Sequence, residues 1–481
     1  MKIRIGLFLV FCFFQTALAQ NNEKWLEDFE AVKKFMAEGY ANLEWARNGK
    51  KIDLAALNKK TQDELAKAST DQQAMEILEK FLKSFQDGHL KLRKVDNSPV
   101  QTEDKRQSFA PDTSAEKVCS ELGYKFRLKR FSLPFENAPN FKLFSTDKDY
   151  FPAAIFTLEN GKKFGVLNIG LFSPDGYLGN CQASWEEFRP TLNAPCDEKC
   201  QGRFDTVIAN RLSAKLTGQI KILQSQKIDY LIVDIGGNGG GTNWVEPAVR
   251  IISPKPVRST LAGFIRHPHW VAINQQMLDD VLDDLTRKDL NAKQIGYLKT
   301  AKERLEKYIE EAKSPCDMSF VWTSDEQRKK CTILNTTPSL TTGIFERLPV
   351  EEISNLKSKN ILFKAVGYDF EESVFKGNLI VLVDRKTASA AENFASYIQA
   401  GKSGEIVGEK TFGAGCGYVN GGTKYFLPNS KFQLLMPDCV RYRADGANEV
   451  EGVVPDINLW EANDDKPQKL EKLIAYLSKV E

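Results

Sequence analysis

Two short apolar runs constrain the fold of this chain more than any other feature. Tyr230–Ile235 and Asn378–Val383 are rich in β-branched residues and nearly free of polar positions, which is typical of strands buried on both faces. A glycine-rich turn follows the first run, and a short turn and a helix from Ala390 follow the second. Strand–helix alternation of this kind predicts an α/β fold with a mostly parallel, helix-covered sheet.

Changes in hydrophobic periodicity divide the chain of 481 residues into segments. The α/β pattern stops at residue 260 and resumes at 345, so the charged helical stretch between them is predicted to be an insertion or cap. The predicted units are a leader (1–19), an N-terminal helical domain (20–92), a linker or small intermediate module (93–162), a core in two pieces (163–260 and 345–460), the insertion (261–344) and a C-terminal helix (461–481).

The first 19 residues have the pattern of a cleaved signal peptide. A basic start precedes an apolar run from Gly6 to Phe14, and Ala17-Leu18-Ala19 offers small residues for cleavage. A retained membrane anchor is the alternative, but the run is far shorter than the roughly 20 apolar residues that span a bilayer. We therefore expect an exported protein, periplasmic or secreted, with no stable membrane span after the leader is removed.

Eight cysteines remain once the leader, which carries Cys12, is removed. An even number of cysteines in an oxidising compartment indicates disulfides. Spacing favours Cys316 with Cys331, and Cys416 with Cys439 across a predicted hairpin, whereas the pairing of the other four stays open. The alternative is a zinc site, but the sequence has no C-x-x-C pair or cysteine–histidine cluster, so we predict no metal.

Ser389 is the candidate nucleophile. It lies between the strand that ends at Val383 and the helix that begins at Ala390, where free backbone N–H groups point at its hydroxyl. Such donors suit a developing oxyanion. Local sequence alone nevertheless favours an ordinary helix-capping serine. The Gly236–Gly241 turn is ambiguous in the same way, since it fits either an anion cradle or a plain tight turn.

Three stretches, taken together, resemble the C-terminal-processing (tail-specific) serine peptidases. They are YLIVDIGGNGGG (230–241), LIVLVDRKTASAAENFASYIQ (379–399), and IVGEKTFGAG (406–415) leading into VEGVVPDI (450–457). The resemblance implies a ClpP/crotonase-like core and Ser389 as the nucleophile. It also implies an oxyanion hole made by the backbone N–H groups of Ala390 and a glycine of the turn, best Gly240.

The chain departs from this family pattern at the general base. Many members carry a lysine in an F-G-K-G segment 25 residues after the serine, where this sequence has Ala414. Lys410 is the alternative base, but it lies four residues earlier, roughly 13 Å away along an extended chain. A serine–lysine dyad is therefore not favoured.

The tricorn-like branch of the family uses serine, histidine and glutamate instead. His89 lies in an Asp-Gly-His segment that resembles the corresponding segment of the family, and an imidazole pKa of about 6.5 suits a general base. Glu449 matches the orienting glutamate, with Glu451 as the alternative, although both also fit solvated charges. His267 and His269 lack an acidic or cysteine neighbour in the sequence and are predicted to be ordinary surface residues.

These residues predict hydrolysis of a peptide or protein substrate through an acyl-enzyme, with no metal or organic cofactor. Because 66 basic residues nearly balance 64 acidic ones, no nucleic-acid partner is expected. A PDZ module would occupy 93–162, but no carboxylate-binding G-L-G loop is found there. The alternative function is a catalytically inert peptide- or lipid-binding relative, because the interphotoreceptor retinoid-binding modules share the fold.

Overall fold

The computed structural model describes residues 6–94, 107–127, 130–144, 150–323, 331–417 and 422–480, with only the backbone described for 6–21. Its helices are α1 (Gly6–Gly39), α2 (Leu43–Asn48), α3 (Leu54–Leu65), α4 (Asp71–Lys83), α5 (Ala115–Glu121), α6 (Leu178–Phe188), α7 (Glu198–Ser225), α8 (Val245–Ile252), α9 (Pro268–Leu285), α10 (Ala292–Ala312), α11 (Val350–Ile353), α12 (Lys359–Leu362), α13 (Ala390–Gly401) and α14 (Lys466–Leu477). Its strands are β1 (Lys91–Arg93), β2 (Lys142–Leu143), β3 (Ala153–Thr157), β4 (Lys163–Asn168), β5 (Tyr230–Asp234), β6 (Leu261–Phe264), β7 (Ser339–Leu340), β8 (Asn378–Val383), β9 (Glu405–Gly408), β10 (Tyr425–Phe426), β11 (Gln433–Leu435), β12 (Cys439–Arg441) and β13 (Ile457–Asn458).

A seven-stranded sheet forms the centre of the protein, in the order β13-β9-β8-β5-β4-β3-β2. Strands β4, β5, β8, β9 and β13 run parallel to one another. Strand β3 pairs antiparallel with β4, and β2 pairs antiparallel with β3 at the edge of the sheet. The predicted α/β class with a mostly parallel sheet is thus confirmed. The sheet also begins earlier than expected, because β2 and β3 lie within the segment 93–162 that was assigned to a linker or small module.

The central strands are buried on both faces. Leu231 and Val233 of β5 face helices α7, α8 and α13, whereas Ile232 faces α14 and the segment around Phe135. This alternation follows from the two-residue period of a strand. It explains why β5 and β8 are almost continuously apolar in the sequence.

The N-terminal helices share a core with the C-terminal half of the chain. Phe29 and Phe81 pack edge to face with ring centroids 4.9 Å apart, and their cluster includes Leu427 and Met436 from the hairpin region. Strand β1 pairs antiparallel with β11 of that hairpin. The segment between α4 and β1, which contains His89, is therefore fixed from both ends.

The insertion contributes both helices and a small sheet. Helices α9 and α10 pack against each other in a separate apolar cluster. Strand β6 lies between β7 and β12, so the insertion is tied to the segment that follows the hairpin. Within the described residues, no helix combines the length and the apolar composition needed to cross a membrane. Residues 1–5 of the predicted leader lie outside the described residues.

All eight cysteines outside the leader are paired. The structure joins Cys316 to Cys331 and Cys416 to Cys439, the two pairs that spacing favoured. The remaining bridges, which the sequence left open, are Cys119–Cys181 and Cys196–Cys200. The Cys416–Cys439 bridge joins the segment after β9 to the start of β12, and both of these segments reach the candidate site.

Candidate active site

Ser389 lies in a strained turn between β8 and α13. Its φ of +56° falls in the left-handed half of the Ramachandran map, which few residues other than glycine adopt and which costs on the order of 1–3 kcal/mol. The turn is fastened to the end of the neighbouring strand, because the Thr387 hydroxyl donates to the Ile235 carbonyl at 3.1 Å. The half-buried serine is therefore held at the helix N-terminus by the sheet itself.

The glycine-rich turn packs directly against Ser389. A Cβ atom at Gly240, where φ is +106°, would lie 2.8 Å from the Ser389 Cβ and 2.8 Å from the Ala390 nitrogen, so only glycine fits there. Asn238 fixes the approach, since its carbonyl accepts the Ala388 N–H at 2.9 Å. Its side-chain oxygen also accepts the Gly240 N–H at 2.8 Å.

The hydrogen bond from the Gly240 N–H to the Asn238 side chain affects the expected oxyanion hole. The Gly240 N–H is already engaged by Asn238, whereas the Ala390 N–H has no hydrogen-bond partner among the described residues. Of the two expected donors, only that of Ala390 is available without rearrangement.

Glu392, in the first turn of α13, connects the nucleophile to the segment after β9. Its carboxylate accepts four hydrogen bonds at 2.6–3.0 Å, from the Ser389 N–H, the Thr411 hydroxyl and the N–H groups of Gly413 and Ala414. One oxygen receives both the Ser389 and the Ala414 N–H, so these nitrogens lie within roughly 6 Å of each other. Burial, and secondarily the charge of Glu449, raises the pKa of this carboxyl.

His89 reaches the same segment from the N-terminal side. Its Nδ1 lies 2.7 Å from the Ala414 carbonyl oxygen, which can only accept, so Nδ1 carries the proton and Nε2 is the basic nitrogen. The His89 N–H donates to Asp87, whose buried carboxylate also accepts from Tyr40 and Asn42. Burial lowers the pKa of the His89 imidazole, and the charge of Asp87 opposes this effect.

Neither glutamate expected to orient the histidine does so. The buried Glu449 carboxylate accepts from the Ser396 hydroxyl at 2.9 Å and from the Arg441 Nε at 2.5 Å. Glu451 accepts from the Trp45 indole N–H at 2.9 Å. A backbone carbonyl, that of Ala414, lies at Nδ1, where the sequence analysis expected a carboxylate.

Arg441 is a further residue that the sequence interpretation missed. Its guanidinium pairs with Glu449 and donates to the carbonyls of Ser389 and Gly415 at 2.9 and 2.8 Å. It therefore braces the nucleophile and the base-carrying segment against each other. Nothing in the local sequence distinguishes this arginine, whereas Glu392 could have been found from the Ser-x-x-Glu pattern of a capping box.

The remaining sequence candidates lie outside this cluster. Lys410 is exposed to solvent. His269 has an acidic partner after all, with its Nε2 3.0 Å from the Asp438 carboxylate, and burial lowers the pKa of His267 to about 4. Both imidazoles are thus more buried than the expected surface residues. Among the described residues, no group of three or more histidines, cysteines or carboxylates could hold a metal ion.

This chain is similar to several known proteins. A tail-specific protease of Haemophilus influenzae is 35% identical over 96 residues, which cover 19% of this chain and only 14% of that protein. The structure of mature CPAF complexed with lactacystin aligns over 95% of this chain and 98% of that chain, at 15% identity and a TM-score of 0.56. Mature CPAF alone gives a TM-score of 0.54. At this identity, the structural likeness establishes a shared fold.

The model of one peptidase family matches residues 204–459, which is more than half of the chain. The matched range contains the glycine-rich turn, Ser389, Glu392 and the segment that carries Ala414. This protein therefore belongs to peptidase family S41.

Proposed function

We propose that this protein is an exported serine peptidase in which Ser389 is the nucleophile and His89 is the general base. One observation carries the proposal. The N–H groups of Ser389, in its strained turn at a helix N-terminus, and of Ala414 donate to the same Glu392 oxygen. The Ala414 carbonyl in turn fixes the tautomer of His89. A helix cap alone requires neither the strain nor the half-buried histidine.

In the proposed reaction, His89 Nε2 takes the hydroxyl proton of Ser389 as the serine oxygen attacks a peptide carbonyl. The Ala414 carbonyl fills the orienting role that a carboxylate has in other serine peptidases, by holding the Nδ1 proton. His89 then protonates the leaving amine, and water resolves the acyl-enzyme. No step requires a metal or an organic cofactor.

The Ala390 N–H is the first oxyanion donor in this scheme. Gly240 would supply the second donor if its N–H exchanged the Asn238 side chain for the oxyanion. The bond to Asn238 lies within the same turn, so this exchange needs only a local rotation. Two such donors act on the charge that develops in the tetrahedral intermediate.

Export is supported by two features. The apolar leader has the composition of a signal peptide, and four disulfides suit an oxidising compartment. The family membership favours a peptidase over the inert binding relative. The substrate is accordingly a peptide or protein.

The deciding experiment compares two serines of similar backbone geometry. Ser389→Ala is expected to abolish peptide hydrolysis and covalent labelling by a serine-directed phosphonate. Ser373→Ala is the matched control, because Ser373 also has a positive φ, of +51°, but follows α12 outside the site. Wild-type turnover in folded Ser389→Ala protein would show that this serine is only a helix cap.

A further inference from the structure

Lys364 is a cation near Arg441, whose guanidinium binds the Ser389 carbonyl, and it has no carboxylate partner among the described residues. Its Nζ donates to the Thr341 carbonyl at 2.7 Å, which uses one of the three ammonium protons. The side chain is exposed to solvent, yet desolvation by surrounding protein lowers the pKa of its ammonium. Exposure to solvent, together with surrounding protein that desolvates the ammonium, indicates that the Lys364 side chain lines a recess open to solvent.

The small sheet of the insertion brings this recess to Ser389. Thr341 donates its N–H to the Thr260 carbonyl at 3.0 Å, immediately before β6. Residue Ala262 of β6 pairs with Arg441 of β12, and the Arg441 guanidinium donates to the Ser389 carbonyl at 2.9 Å. A series of hydrogen bonds and one strand pairing thus connects Lys364 to the Ser389 turn.

The neighbouring charges are already neutralised. Lys364 interacts electrostatically with Glu246 and Arg441. Glu246 is buried and held by the Arg250 guanidinium at 2.8 Å and the Tyr397 hydroxyl at 2.6 Å, while Arg441 is paired with Glu449. The recess therefore carries an excess positive charge at Lys364.

Asn393 adds a second unused group. It lies one helical turn after Ser389, on the same face of α13, and is only 6% exposed. Its Oδ1 has no hydrogen-bond partner among the described residues, which is costly for a buried acceptor. A peptide bound here would find an acceptor for an N–H group and a cation for a carboxylate.

We propose that Lys364 is a substrate-binding residue that takes a carboxylate of the peptide within a few residues of the scissile bond. The carboxylate comes either from an Asp or Glu side chain or from the terminus of the substrate chain. This inference rests on the proposed function, because it concerns the substrate of the same site. It assigns to the peptidase a preference for acidic segments.

The test uses internally quenched decapeptides in which each position in turn is Glu or its neutral counterpart Gln, each with a free or an amidated C-terminus. The wild-type protein is expected to show a kcat/KM at least about tenfold higher for one Glu peptide than for its Gln partner, the size of one charge-assisted hydrogen bond. If the protein instead prefers peptides with a free C-terminus over amidated ones and shows no preference for internal Glu, the bound carboxylate is that of the chain terminus.

Lys364→Met is expected to remove this preference, mainly through KM, and Lys364→Glu to reverse it in favour of Lys peptides. Lys364→Arg keeps the cation and should retain the preference. Lys376→Met is the matched control, because Lys376 is exposed just before β8, at the opposite end of that strand from Ser389. An unchanged Glu/Gln ratio in Lys364→Met, or no preference in the wild type in either arm, overturns the proposal.

A binding measurement separates this inference from the proposed function. Fluorescence anisotropy with Ser389→Ala protein reports the affinity for labelled Glu and Gln peptides without turnover. The wild-type protein could fail to hydrolyse any peptide while the Glu peptide still binds more tightly than the Gln peptide. If Lys364→Met then removes that difference in affinity, the serine mechanism fails and the carboxylate site stands. Equal binding of both peptides overturns the carboxylate site even if hydrolysis is observed.

Discussion

The two sides of the candidate site are built in different ways. The Ser389 turn and the glycine turn around Gly240 follow the adjacent strands β8 and β5 of one sheet, and short local contacts set their geometry. His89 comes from the N-terminal helices, whose core is completed by the hairpin near Tyr425 more than 300 residues later. The proposed nucleophile is therefore fixed by local structure, whereas the position of the proposed base depends on the packing of distant parts of the chain.

The segment from Thr411 to Gly417 joins these two sides. It is held to the nucleophile by Glu392 and to the base by the Ala414 carbonyl. Damage to this segment should separate the base from the nucleophile without unfolding either one. The predictions below test that view, from the largest expected effect to the smallest.

His89→Ala should reduce kcat/KM by about 10²–10⁴-fold, the usual contribution of a general base. Lys410→Ala is the control and should cost little, because that lysine is exposed and outside the cluster. The steady-state kinetics of both variants on one quenched peptide provide the measurement. Loss of activity in Lys410→Ala with wild-type activity in His89→Ala would assign the base to the lysine.

Glu392→Gln should reduce kcat/KM by about 10²-fold, because an amide cannot accept all four hydrogen bonds and the Ala414 carbonyl then shifts relative to Ser389. Glu409→Gln is the control, since Glu409 pairs with Lys469 of α14 in a buried site away from the catalytic cluster. It should lower the melting temperature and leave kcat unchanged. Equal kinetics in the two variants would reduce Glu392 to a structural role.

Removal of the Cys416–Cys439 bridge should cost about tenfold in kcat/KM, because the bridge anchors the end of the base-carrying segment to β12. The double variant Cys416→Ala/Cys439→Ala tests this expectation. The Cys196–Cys200 bridge closes a loop with a sequence separation of only 4 and lies in a different apolar cluster, so its removal is the control. Equal losses for the two double variants would indicate general destabilisation.

The smallest effect concerns pH. In the proposed mechanism His89 is the neutral base, and burial lowers its pKa, so kcat/KM should hold as pH falls and decline only below about 6.5. The charge of Asp87 raises the pKa of His89, so Asp87→Asn should move this acidic limb to still lower pH. A pH–rate profile of both proteins measures the shift. A shift to higher pH would contradict the assigned electrostatics.

Much of the nucleophile side could be predicted from the sequence. Strand β8 was predicted with its observed bounds, and the helix from Ala390 follows directly from the Ser389 turn. The signals are local there, because a buried strand needs a continuous apolar run and a helix start has a recognisable cap. The assignment of Ser389 itself came from the family resemblance, since local sequence favoured a cap.

The base side was predicted less completely. The Asp-Gly-His segment pointed to His89, but the Ala414 carbonyl at its Nδ1 was not anticipated, because a backbone carbonyl has no sequence signature. Glu449 instead neutralises Arg441, a contact between residues on separate elements. The two open disulfides were unpredictable for the same reason, since tertiary packing decides which cysteines meet.

The shared core of the N-terminal helices has a consequence for how the protein is made. During synthesis, α1, α3 and α4 emerge first, but their apolar cluster lacks Leu427, Leu434 and Val440 until almost the whole chain has been translated. A nascent chain that stops short of Val440 cannot hold His89 against Ala414, even when Ser389 is already in place. The order of translation therefore delays assembly of the candidate site until late in synthesis.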